Sequence, residues 1–333
     1  MKLRKLGKNG PEISALGYGA MSFAEFYGPT TEENSYAILA AALEAGVTHI
    51  DSANVYGMGR SEKAIGQFLR DNPGTRDQFH IATKAAITKD EDGNRCFRNT
   101  LEHFETELDK SLEKLGIDCV DLFYAHRYQA ELPIEEVAGN LQRLVEKGKT
   151  KGIGLSEVAP STLRRAATEA HIDAVQSEYS LSVRSPEMGL VQTCAELGTA
   201  LVAFSPVGRS FLTDTPLTYD TVQDVGGWIA SNPRFVEPNY SANIKATDPF
   251  RAYAAELGVS TAALSIAWVL AQGEHVIAIP GTRSTAHFAQ LVEGWHLDLT
   301  ADQLARITEI LPIGWAHGDR YSEDQWIGPE RYC

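Results

Sequence analysis

Eight short apolar runs, each followed by a stretch with helical spacing, recur along this 333-residue chain. The runs are "LGYGAM" (16–21), "VTHID" (47–51), "HIATKAA" (80–86), "CVDLFYAH" (119–126), "KGIGLSE" (151–157), "AVQSEYS" (174–180), "ALVAFSP" (200–206) and "HVIAIPG" (275–281). Between them, Leu101, Phe104, Leu108, Leu112 and Leu115 fall on one face of a helix, as do Ile134, Val137, Leu141 and Leu144, with Gly148 as a stop. Thr30 and Glu33 read as a capping box that opens the first helix. "PSTLRRAATEA", "SPEMGLVQTCAELG" and "STAHFAQLVEG" each begin with Ser or Pro, and further helices are predicted over 249–258, 261–272 and 301–310. Eight strand–helix units predict an α/β fold, a (β/α)8 TIM barrel. A doubly wound sheet is the alternative, but its first turn usually carries G-x-G-x-x-G, and "GYGAMS" lacks that spacing.

Three segments fall outside the rhythm. Residues 2–15 alternate apolar and polar around "KNG" and predict an N-terminal β-hairpin. Residues 207–247 predict a long polar loop after the seventh strand, and 312–333 an aromatic tail with no helical period. No break in composition divides the chain, so residues 1–333 are expected to form one domain.

Composition narrows the function. An apolar fraction of 43% is enough for a full core. A net charge of −14 with no Lys/Arg cluster argues against nucleic acid or an anionic membrane as partner. A phosphate-bearing ligand would have to be held by a few local cations and helix N-termini. Cys96, Cys119, Cys194 and Cys333 form no C-x-x-C pair, which fits a reducing compartment and excludes a zinc ribbon. The opening "MKLRKLGKNGPEIS" lacks an apolar signal region, and no run reaches the roughly 18 apolar residues of a membrane span. A cytoplasmic location is the expectation.

In a barrel, chemistry gathers where strands end. The second strand ends at Asp51, the third carries Lys84, the fourth ends at His126, and Tyr56 follows Asp51 by five residues. Taken singly, Asp51 reads as a turn residue and His126 as a hydrogen-bonded rim residue. Lys84 is harder to place without a partner, because lysine is seldom buried alone. Together, a buried ammonium beside a carboxylate could lower the pKa of a neighbouring phenol, which then donates a proton to a developing alkoxide. A histidine opposite could hold the carbonyl oxygen. Two other readings stay open: a metal-dependent hydrolase with His49, Asp51 and His126 as ligands, and a cofactor-holding regulatory subunit without turnover.

The order Asp51, Tyr56, Lys84, His126 resembles the aldo-keto reductases. So do "G-x-G-x-M-S" (17–22), "IGLSE" (153–157), "QSEYS" (176–180), "AFSPVGRSFL" (203–212) and "IPGTR" (279–283). The resemblance implies reversible NAD(P)H-dependent reduction of aldehydes and ketones. It makes Tyr56 the general acid, tuned by Lys84 and Asp51, with His126 positioning the carbonyl. It assigns the nicotinamide carboxamide to Ser156 and Gln176, with Glu157 standing where Asn is common. Phe204 would stack on the nicotinamide. Ser205, Pro206, Gly208 and Arg209 would meet the pyrophosphate, and Ala20 and Met21 would also border the cofactor. Gly281, Thr282, Arg283, His287 and Gln290 would take the adenosine 2′-phosphate end, which favours NADPH and leaves NADH open. Phe23, Phe26, Tyr27, Trp228 and Trp315 are candidates for the substrate wall. The expected partner is a small carbonyl or alcohol substrate.

Overall fold

The structure is a computed structural model and describes residues 1–332; Cys333 lies outside the described residues. The N-terminal hairpin forms as expected from β1 (Leu3–Lys5) and β2 (Glu12–Ser14), antiparallel with Leu3 opposite Ser14. Then come β3 (Tyr18–Gly19), β4 (His49–Asp51) and β5 (His80–Ala85). An outlying hairpin, β6 (Ile87–Lys89) and β7 (Arg95–Phe97), follows. The remaining strands are β8 (Leu122–Ala125), β9 (Ile153–Ser156), β10 (Ala174–Glu178), β11 (Ala200–Phe204) and β12 (Val276–Ile279).

Leaving aside the two hairpins, neighbours in sequence are neighbours in the parallel sheet from β3 to β12. The ends also meet. Gly17 N–H donates to Ala278 O at 2.8 Å and Gly19 N–H to Pro280 O at 2.9 Å, closing the barrel and ruling out the open doubly wound sheet. Close approach at this seam requires glycine. A Cβ on Gly281 would sit 2.5 Å from Gly19 O.

Strand alternation sorts the side chains. Ala82, Leu122, Tyr124, Ala174, Val202 and Ile277 fill the barrel, and Leu6 and Ile13 of the hairpin plug its base. Their neighbours Ile81, Phe123, Val175 and Leu201 face outward and pack against Phe104, Leu108, Leu141 and Leu144 of the surrounding helices. The inward set places His49, Asp51, Lys84 and Gln176 inside.

Several local expectations change. The first helix, Glu32–Glu44, is capped by Thr31, whose side chain accepts from Asn34 N–H, and not by Thr30. Helix Arg60–Asp71 was not foreseen. The segment 207–247 is not a bare loop. Helices Tyr219–Val225 and Gly227–Ala230 fold around a small core of Phe211, Val222, Ile229 and Phe235. The helix expected from 249 starts at Asn239 and runs through Pro249. "SPEMGLVQTCAELG" divides into a 3-10 turn, Ser185–Glu187, and helix Leu190–Leu197, because Gly189 takes φ 115° between them. Among the described residues no single helix is long and apolar enough to cross a membrane.

Candidate active site

At the C-terminal mouth of the barrel, Lys84 is fully buried and forms an ion pair with Asp51 Oδ1. Its ammonium also donates to Ser52 O at 2.6 Å, and the second carboxylate oxygen of Asp51 accepts from Gln176 Nε2 at 2.8 Å. The buried charges are thus paired and hydrogen-bonded, the condition on which such a pair is tolerated. Lys84 Nζ lies 5.1 Å from the centroid of the Tyr56 ring. Tyr56 faces His126 edge-on, with ring centroids 5.8 Å apart. The four residues expected to act together therefore meet.

Burial raises the Tyr56 phenol above its ordinary value; Lys84 and Arg127 draw it down, and Asp51 opposes them. The pull of Lys84 has the expected direction, and desolvation outweighs it. His126 is driven well below its usual range, first by burial and then by the nearby Arg127, Lys84 and Arg95 charges. It is neutral at physiological pH and able to donate through one ring nitrogen.

The metal-ligand reading does not survive. His49 is fully buried below the mouth, with Nδ1 against His80 O at 3.2 Å, and both Asp51 oxygens are taken. Among the described residues, no three His, Cys, Asp or Glu side chains converge as a metal site.

The candidate cofactor residues line one side of the mouth. Ser156 and Gln176 are register partners on β9 and β10, and half-buried Phe204 ends β11. Ser205, Gly208, Arg209 and Ser210 all take positive φ, a tight left-handed path after β11. Pro206 is buried within it. Met21 is half-buried, whereas Ala20 is fully buried and its carbonyl accepts from Ser61 Oγ at 2.8 Å. Thr282 Oγ1 accepts from Ser284 N–H at 3.2 Å, and Ser284 caps helix Thr285–His296. His287 is exposed on the first turn of that helix. Arg283 reaches back to Pro29 O at 2.8 Å. These positions suit a long anionic ligand laid from β9 to the last helix-bearing loop.

Other side chains point differently from expectation. The Arg209 guanidinium is buried on Glu178 at 2.7 Å and Arg320 O at 3.0 Å, so only its backbone is available to a pyrophosphate. Gln290 Nε2 is turned to Asp214 at 3.2 Å. Phe23 is 2% exposed and packs on Tyr18, so it is core and not substrate wall. Trp315 packs half-buried against the main core and donates its indole N–H to Leu181 O at 2.8 Å. Phe26 does reach the site, 6.0 Å from the Tyr56 ring, and Tyr27 meets Trp228 edge-on at 5.5 Å.

Glu157 explains its own departure from Asn. It sits at φ 58°, a left-handed conformation that favours Asn. Its carboxylate pairs with buried Arg320 and accepts from Glu178 N–H at 2.8 Å. The tail is thereby pinned across the ends of β9 and β10, and Glu330 N–H adds a bond to Glu157 O at 2.9 Å. Sequence reasoning missed Arg320, for which there is no local signal, and Arg127, which stands beside His126 in "FYAHR" and could have been noticed.

Residues 15–312 match the pattern described as the Aldo/keto reductase family. The chain is 35% identical over 322 residues to "Aldo-keto reductase yakc [NADP(+)]" of Schizosaccharomyces pombe, covering 96% of this chain and 94% of that protein. It is 35% identical over 318 residues to "Probable aldo-keto reductase 1" of Glycine max, covering 95% and 91% respectively. Among solved structures, the glycerol dehydrogenase AKR11B4 from Gluconobacter oxydans superposes with a TM-score of 0.81 at 25% identity, over 93% of this chain and 95% of that one.

Proposed function

The chain belongs to the aldo/keto reductase family, and from this we propose that it interconverts a carbonyl compound and its alcohol with NADPH as hydride donor, Tyr56 acting as general acid and base. The observation that carries the reading is the buried Lys84–Asp51 pair directly beside the Tyr56 ring, with neutral His126 on the other side.

When bound, the nicotinamide supplies a hydride to the carbonyl carbon. Ser156 and Gln176 would hold its carboxamide, and Phe204 would lie against its ring. The Gln176 amide nitrogen is committed to Asp51, which leaves its carbonyl oxygen for that contact. His126 donates to the carbonyl oxygen and fixes its direction. Tyr56 then passes its phenolic proton to the alkoxide as negative charge develops. Lys84, ion-paired with Asp51, offsets the charge left on Tyr56. In the reverse direction the Tyr56 phenolate takes the alcohol proton.

Preference for NADPH over NADH rests on Arg283, Ser284 and His287 at the start of helix Thr285–His296, where an added phosphate gains both a cation and free amides. The fission-yeast relative, with NADP(+) in its name, points the same way. The half-buried Tyr27, Trp228 and Phe26 supply an aromatic boundary for the substrate. A small-molecule partner and a cytoplasmic setting complete the reading.

The test is an absorbance assay following NADPH and NADH consumption against aldehydes and ketones, with NADP+ and alcohols in reverse. Turnover with NADPH that falls by roughly 100-fold or more in Tyr56→Phe supports the reading. Undiminished turnover in that variant overturns it. Tight NADPH binding with no turnover of any carbonyl would favour the regulatory-subunit alternative.

A further inference from the structure

Arg127 follows His126 directly, yet nothing in the proton transfer uses it. Its Nη1 donates to His126 O at 2.7 Å and to Ser156 Oγ at 3.0 Å. Those two bonds fix the guanidinium plane. Its other edge is unused: Nε is buried without a partner, and Nη2 makes no hydrogen bond among the described residues. The Nε–Nη2 edge is one of those through which arginine grips a carboxylate with two parallel bonds. No Asp or Glu oxygen among the described residues comes within ion-pair distance of Arg127. A second unpaired arginine stands close by. Arg95, on β7, packs its guanidinium 5.2 Å from the Phe97 ring. Phe97 and Arg127 converge on the tail, where a Cβ on Gly328 would lie 2.6 Å from Phe97 Cζ and 3.3 Å from Arg127 Cδ.

Two guanidiniums gathered at one mouth without an ion-pair partner, in a chain of net charge −14 and with the nearby Glu157 carboxylate already paired to Arg320, is an arrangement that folding alone does not favour. Burial lowers Arg95 and the repulsion of Arg127 lowers it further, and both cations add to the burial that lowers His126. An anion placed between them would relieve the repulsion. We propose that Arg127, supported by Arg95, forms an anion subsite, and that the physiological substrate is a carbonyl compound that also bears a carboxylate. This rests on the reductase reading and names its substrate class. Arg127 is anchored to the backbone of His126, which receives the carbonyl, so both ends of an oxo acid would be held from one point of the chain. The anchor on Ser156 places the subsite on the nicotinamide side of the mouth.

The test compares 2-, 3- and 4-carboxybenzaldehyde with their methyl esters in NADPH-linked assays, in parallel with calorimetry of benzoate against benzamide on the NADP+-loaded protein. The wild type is expected to favour at least one acid over its ester by roughly 10-fold in kcat/KM, and to bind benzoate in preference to benzamide. Arg127→Gln should bring the acid-to-ester ratio near one, Arg127→Lys should keep part of it, and exposed Arg95→Gln should lower it. Three results would each overturn the proposal: no acid preferred over its ester, a preference that survives Arg127→Gln, or benzoate that binds the cofactor-free protein and not the NADP+-loaded one, which would assign the arginines to cofactor phosphates. If neither acids nor esters turn over, the reductase reading fails, while benzoate calorimetry still decides the subsite.

Discussion

Gln176 and Lys84 hold the two oxygens of one carboxylate: the Gln176 amide donates to Asp51 Oδ2 at 2.8 Å, and the Lys84 ammonium pairs with Oδ1. The residue expected to hold the nicotinamide is therefore joined to the pair that tunes the acid. Changing Gln176 should disturb both. Gln176→Ala is expected to raise KM for NADPH and lower kcat together. Gln176→Glu would set two carboxylates side by side in a buried site, and its unfolding midpoint should fall below that of Gln176→Ala. A Gln176→Glu protein as stable as wild type would contradict this arrangement.

The direction of the Tyr56 shift sets the pH profile. A phenol raised by burial keeps its proton through neutral and mildly alkaline pH, so carbonyl reduction should be nearly flat from about pH 6 to about pH 9. Alcohol oxidation needs the phenolate and should keep rising over the same interval. Rate profiles in both directions check this. A fall in reduction near neutral pH would mean that the phenol ionises there.

Asp51 and Lys84 should be more costly to break singly than together. Lys84→Met leaves a buried carboxylate without its cation, and Asp51→Asn leaves the ammonium without its anion. Each is expected to cost about 3–5 kcal/mol of stability, whereas the double variant should cost clearly less than the sum. Guanidinium unfolding of the three variants measures the coupling. Additive losses would mean that the pair is not a mutual counter-ion system.

His49 predicts an acid limb. Burial lowers it from 6.5 to about 4, so the folded protein holds it neutral. The unfolded chain begins to bind that proton below pH 6.5, and the folded chain does so only near pH 4. The stabilisation is complete above pH 6.5 and is lost progressively as pH falls toward 4, by an amount on the order of a few kcal/mol. His49→Asn should be less stable at neutral pH and show a shallower decline across this window in thermal unfolding. An unchanged slope would assign the acid limb to other groups.

Much of this arrangement was legible beforehand because it depends on repetition and strand alternation. The period of two already paired His49 with Asp51, Ala82 with Lys84 and Tyr124 with His126, so their meeting at one mouth needed only barrel closure. Helices without that regularity were harder to see. The helix Asn239–Glu256 carries a proline and a weakly patterned start, and it holds its shape against neighbours that only the folded chain supplies. The aromatic candidates divided for a similar reason. Phe23 looks like Phe26 in sequence, but burial depends on what stands opposite.

The sequence by itself determined the repeating fold and the order of the catalytic groups, because both are properties of local spacing. Only the tertiary structure decided where the charges find their partners. Glu157 takes Arg320 from 163 positions away, Arg209 is drawn to Glu178, and Arg127 is left with an open edge. Electrostatic pairing acts through space and weakens with distance, so no window of sequence contains the identity of a partner brought close by the closing of the barrel.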